Sequence, residues 1–181
     1  MNSKDLHELP VLSIESGEKL GTLARTYLDG PGKRLAGFAF TESGGFRQIE
    51  SEPNIDTKDV RTLGPDALIV DRRESIHGDT VNAHYEDFLV LDELTHRPVM
   101  SRNGTSIGHV ASVEFDDRSF RLTGLEVQHG LFGAHEQIPI RKVVTIGPDY
   151  VIVDDSAIRT EEAPAIAAHE PTPEIIEGSA V

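Results

Sequence analysis

The chain has 181 residues, 38% of them hydrophobic, with seven Phe, three Tyr, no Trp and no Cys. That length suits one domain or two small ones, and the sparse aromatics limit core size, so each half is expected to be a compact barrel or sandwich. A net charge of −14 and a pI near 4.9 oppose binding to phosphate backbones and anionic lipid, and the lack of cysteine excludes disulfides and thiolate metal sites.

Met1-Asn2-Ser3-Lys4-Asp5-Leu6-His7-Glu8 lacks the charged-then-apolar layout of a signal peptide. Nor does any stretch approach the roughly 18 apolar residues needed to span a bilayer. A soluble, cytoplasmic protein without a transmembrane segment is expected.

Leu9-Pro10-Val11-Leu12-Ser13 reads as a short extended segment, and Arg97-Pro98-Val99-Met100-Ser101 repeats it. A polar turn follows each, Glu15-Ser16-Gly17-Glu18 and Arg102-Asn103-Gly104-Thr105. Asn-Gly is a strong hairpin signal because both residues tolerate positive φ. Asn103-Gly104-Thr105 also fits a glycosylation sequon, but nothing points to secretion and the turn reading stands. Next come Leu20-Gly21-Thr22-Leu23 and Ile107-Gly108-His109-Val110. The apolar positions that follow, Leu23, Thr26 and Leu28 or Val110, Val113 and Phe115, are spaced three and then two. A bulge near Ala24-Arg25, and its twin near Ala111-Ser112, keeps all three facing inward.

Leu35-Ala36-Gly37-Phe38-Ala39-Phe40 aligns with Leu122-Thr123-Gly124-Leu125-Glu126-Val127. Phe38 and Phe40, like Leu125 and Val127, alternate onto one face. Gly37 and Gly124 sit mid-strand, where glycine marks a coil or a close backbone approach. The copies then diverge into Thr41-Glu42-Ser43-Gly44-Gly45-Phe46 and His129-Gly130-Leu131-Phe132-Gly133-Ala134-His135. They converge again at Ile55-Asp56-Thr57-Lys58-Asp59-Val60 and Ile138-Pro139-Ile140-Arg141-Lys142-Val143, each ending in one helical turn. Last comes the clearest twin: Thr62-Leu63-Gly64-Pro65-Asp66-Ala67-Leu68-Ile69-Val70-Asp71 and Thr145-Ile146-Gly147-Pro148-Asp149-Tyr150-Val151-Ile152-Val153-Asp154. A Gly-Pro-Asp turn into a short apolar run reads as a corner leading into a buried strand. Finding it twice makes the chain one small β unit used twice.

Residues 9–71 and 91–155 therefore form two repeats, with 72–90 as a polar connector. Within it, Phe88-Leu89-Val90-Leu91 is a strand that either opens the second barrel or bridges the two. From Asp155 onward there are six acids and one base, so 156–181 is expected to be a flexible acidic tail, the alternative being a short helix docked on a neighbour.

Such duplicated segments resemble the PRC-barrel domain, whose reference members include the cytoplasmic domain of the photosynthetic reaction-centre H subunit and the C-terminal domain of a ribosome-maturation factor. The resemblance covers about 9–71 and 91–154 and implies a mostly β fold: two tandem small PRC-type β-barrels with short helical turns. It also implies a module that binds other proteins, without enzymatic activity. The fold-defining positions are Gly21, Gly37, Gly64, Pro65, Asp66, Gly108, Gly124, Gly147, Pro148 and Asp149.

No catalytic set is visible: there is no GxGxxG, no Gly-Lys-Ser/Thr phosphate loop and no Ser-centred elbow. Eight histidines raise a metal or pH-sensing reading. His129 and His135 flank the copy-two loop beside Glu136, and His77, His84 and His96 lie in the connector, but their spacing fits no zinc pattern. Asp116-Asp117 and Asp154-Asp155 read as turn residues. No metal or cofactor is expected.

Gly130, Leu131, Phe132 and Gly133 form an apolar pair between glycines, either tucked over its own barrel end or offered to a partner; Phe46 is its counterpart. The favoured function is a protein-binding adaptor or self-associating scaffold, so protein partners or a homo-oligomer are expected. A ligand- or metal-responsive module is the alternative. An RNA-associated factor would need Arg72, Arg73, Arg97 and Arg102 to form a basic patch against the overall charge.

Overall fold

The computed structural model describes residues 1–42, 53–76, 85–130 and 133–157. Each repeat is a curled, mostly antiparallel sheet, a half-barrel. The first contains β1 (Pro10–Ser13), β2 (Lys19–Asp29), β3 (Arg34–Glu42), β4 (Asn54–Asp56), β5 (Val60–Leu63) and β6 (Leu68–Val70). A further strand, β7 (Leu89–Val90), comes from the connector and leads into the single helical turn α1 (Leu91–Leu94). The second contains β8 (Pro98–Ser101), β9 (Ser106–Phe115), β10 (Leu122–Gln128), β11 (His135–Pro139), β12 (Val143–Ile146) and β13 (Val151–Val153). The strand orders, β4-β3-β2-β1-β6-β5 and β11-β10-β9-β8-β13-β12, are the same topology written twice.

The local signals account for this frame. At the Gly-Pro-Asp corners, the amide of Gly64 bonds the Ala67 carbonyl at 2.9 Å and that of Gly147 bonds Tyr150 at 3.0 Å. These turns fold β5 onto β6 and β12 onto β13. The last strand then runs parallel to the first, with Val11 opposite Leu68 and Val99 opposite Val151, all four buried. The expected bulges are present. Pairing skips Ala24 between Leu23 and Arg25, and skips Ala111 between Val110 and Ser112. In consequence Leu23, Thr26 and Leu28 are all buried, as are Val110, Val113 and Phe115. One turn differs in detail: only Gly104 of Asn103-Gly104 takes positive φ (84°), its equivalent being Gly17 at 71°. One left-handed residue and the register shift beside Met100 replace the two-residue mirror turn.

The halves do not keep separate cores. One cluster of buried side chains runs from Leu6 and Val11 through Phe38 and Leu68 to Val113, Phe115 and Val153. Its cause is a reciprocal exchange of arms. Connector strand β7 leaves its own repeat and pairs with β2 of the other, Val90 opposite Tyr27 and Leu89 opposite Leu28. The N-terminal arm mirrors it: Asn2 bridges Glu114, and the Phe115 amide bonds the Met1 carbonyl at 3.0 Å. Each arm then makes a helical turn, Ser3–Leu6 or α1, that buries a leucine, Leu6 or Leu94.

At the midpoint Arg34 bridges Arg121, with Leu35 bonded to Phe120 at 2.8 Å and Leu122 to Lys33 at 2.9 Å. The equivalent residues thus contact one another, the signature of an isologous interface, here inside one chain. Even the left-handed non-glycine residues pair off by repeat: Glu8 (φ 56°) with His96 (70°), and Lys33 (50°) with Phe120 (57°). Ordered structure continues past Asp155 through a 3-10 turn, Asp155–Ala157, whose Ala157 joins the core. The rest of the expected tail lies outside the described residues. Among the described residues no helix is long and apolar enough to cross a membrane.

Candidate functional site

The fold-defining residues divide by what surrounds them. A Cβ on Gly21 would run into the Thr41 carbonyl, and one on Gly108 into that of Gln128, so these two admit no side chain. A Cβ on Gly37 would meet the Tyr85 ring, and one on Gly124 would lie 3.2 Å from the Ile138 carbonyl. Gly64 has room for a side chain, and at Gly147 a Cβ would lie 3.2 Å from the Tyr150 carbonyl; neither has positive φ. Pro65, Asp66, Pro148 and Asp149 are exposed at the corners. Tyr85 explains the first repeat's coil glycine: its ring stacks on Tyr27, centroids 4.4 Å apart, and its hydroxyl donates to Asp56. Burial, reinforced by that bond, raises the Tyr85 phenol far above its usual range.

The candidate loop between β10 and β11 rests on a polar base. The His129 amide bonds the Ala134 carbonyl at 3.2 Å, and Gly130 takes φ 63° with open space around it. His129 Nε2 lies 3.0 Å from Glu136, and His135 Nδ1 lies 2.7 Å from Glu126. Glu126 also accepts from the buried Ser112 hydroxyl at 2.6 Å and from Lys4 Nζ at 3.3 Å. The Asn2 side-chain Nδ2 in turn donates to Ser112 Oγ at 3.0 Å. Ser112, followed by His135 and Lys4, holds the Glu126 carboxyl down at about 2. This network ties the N-terminal arm to the hairpin of the other repeat. Leu131, Phe132 and Phe46 lie outside the described residues, as do His77 and His84. Gly133 is described, and a Cβ there would overlap the His129 carbonyl.

The histidine pairs are ion-pair geometries with one carboxylate each. Among the described residues no group of three or more His, Asp or Glu is placed to hold a metal ion. Of the arginines a basic patch would need, Arg73 pairs with Glu42 at 3.1 Å and Arg97 is buried.

Sequence reasoning missed an open groove of about 590 Å³ beside the second corner. Glu93, Thr95, His96 and Pro98 line it, together with Pro148, Asp149 and Tyr150 of the corner. Arg97 forms the floor, 8% exposed, donating to the Gly147 carbonyl at 2.6 Å and to the Glu93 carbonyl at 3.3 Å. Tyr150 is 47% exposed, one of the two large apolar side chains exposed among the described residues, with Ile14. The signal was present in the repeat itself: Arg97 stands where the first copy has Leu9, and Tyr150 where it has Ala67.

Among curated proteins, none matches this chain. The PRC-barrel domain family model matches twice, at residues 1–76 and 86–158, and both matches include the crossing arms. Two copies of that domain, folded around one core by the exchange of those arms, place this chain in the PRC-barrel family as a tandem member.

Proposed function

We propose that this chain is a non-enzymatic adaptor or assembly module, acting in the cytoplasm on protein partners or on a second copy of itself. One observation carries the reading. Many positions shared by the two repeats are buried apolar side chains, such as Val11 and Val99, or glycines with no room for a side chain, such as Gly21 and Gly108, and the shared Pro-Asp pairs are exposed turn residues, so all of these serve shape. Differences between the repeats include exposed places, among them Gly130 after β10 and Tyr150 at the second corner. A fixed frame with divergent rims is how a scaffold presents contact surfaces. Strand β11, which ends the second sheet beside the Gly130 loop, suits edge pairing with a partner.

The test is size-exclusion chromatography with light scattering, together with partner capture from the native host. The intact chain is compared with a Leu131→Ser, Phe132→Ser double variant. Loss of association or capture is expected; unaltered behaviour in both would remove the loop as the contact.

A further inference from the structure

We infer that the groove between Thr95-His96-Arg97-Pro98 and Pro148-Asp149-Tyr150 binds a proline-rich segment of a partner protein with basic side chains at its flanks. This inference rests on the protein-binding reading above and names one partner chemistry for it. The fold does not need a cation at the position of Arg97, because the equivalent Leu9 is buried there in the first repeat. Arg97 donates to two backbone carbonyls, one at the Gly-Pro-Asp corner and one in α1, and a guanidinium has five N–H donors. Such a floor suits an acceptor from a ligand.

The rim decides which acceptor. Glu93 and Asp149, both exposed among the lining residues, repel an anion, which turns the floor toward a neutral carbonyl. Polyproline II segments expose their carbonyls outward, carry no internal hydrogen bonds and lose little entropy on docking. Tyr150, exposed and lining the groove together with Pro148 and Pro98, offers the aromatic and prolyl surfaces on which such segments pack. The two rim carboxylates then select basic residues on either side, by charge complementarity.

The experiment titrates the full-length chain with two fluorescent peptides of about eight prolines, one with an arginine at each end and one with a glutamate at each end. Anisotropy gives affinity, and amide NMR shifts give location. The arginine-flanked peptide is expected to bind with shifts centred on His96 and Tyr150. Tyr150→Ala and Arg97→Leu, which install the first repeat's own residues, are each expected to weaken it about tenfold. Glu93→Lys with Asp149→Lys is expected to reverse the preference toward the glutamate-flanked peptide.

No saturable binding, or binding untouched by Tyr150→Ala and by the charge reversal, overturns the inference. Equal or tighter binding of the glutamate-flanked peptide also overturns it, and tighter binding points instead to an acidic occupant such as this chain's own Glu170-Pro171-Thr172-Pro173-Glu174. If peptides fail while the Leu131→Ser, Phe132→Ser variant still loses its partner, the groove inference falls and the module reading stands.

Discussion

Replacing Leu6 by Ala tests the exchange of arms directly. Leu6 belongs to the first repeat in sequence, yet its 3-10 turn crosses to β9 of the second, where the Val113 amide bonds Ser3 Oγ at 3.1 Å. Leu6 is 4% exposed and part of the shared core. Leucine-to-alanine changes at buried sites cost about 2–5 kcal/mol, and a side chain on an arm has some freedom to collapse, so about 3 kcal/mol is expected. For a domain of this size that lowers Tm by about 6–12 °C. Urea unfolding followed by circular dichroism is expected to show one transition at a lower midpoint with unchanged slope. Native-state hydrogen exchange gives the sharper result. Amides of Val113 and Phe115 in the second repeat and of Leu68 and Val70 in the first are expected to lose protection together. If the second repeat keeps full protection while only the first turn frays, the arm is an ornament and the shared core is wrongly inferred.

Other expectations concern single sites. Gly21→Ala and Gly108→Ala are each expected to destabilise by about 2–3 kcal/mol, because the methyl group meets a backbone carbonyl that cannot move freely; Gly64→Ala, where space is open, should be near neutral in the same melts. Glu126 has a depressed carboxyl, so its contribution is fully present above its unfolded value near 4.5 and disappears as pH falls toward about 2. Glu126→Gln should therefore cost about 1–2 kcal/mol at pH 7, after allowance for solvent screening, and almost nothing near pH 2; an equal cost at both pH values would refute this. Tyr85 is raised, so its neutral form stabilises the fold below pH 10 and that contribution is lost at higher pH. Ultraviolet titration of the folded chain should show the Tyr85 phenol still un-ionised near pH 11, so Tyr85→Phe should leave the absorbance rise up to that pH unchanged.

Elements whose causes are local were legible in advance. The three-then-two spacing around Ala24 and Ala111 located both bulges, because inward burial of Leu23, Thr26 and Leu28 leaves no other register. The Gly-Pro-Asp corners and the alternation of Phe38 with Phe40 were equally plain. The site was less legible. His129 and His135 stood out as loop histidines, but their separate carboxylate partners depend on how β10 pairs β11. Arg97 and Tyr150 were readable only by asking what the other copy carries at the same positions.

The amino-acid order alone determined that one small β unit is used twice and where each chain reversal falls, since turns, bulges and alternation are set by neighbours a few residues apart. Tertiary structure decided the rest. Two readings of Phe88-Leu89-Val90-Leu91 stood open until β7 was found on β2, because a strand edge accepts any suitable partner and only the folded chain says which one is near. The same holds for Met1 and Asn2 on β9, and for the merging of two small cores into one. Each repeat has too little apolar surface to bury alone, and lending an arm to its twin covers what it leaves open.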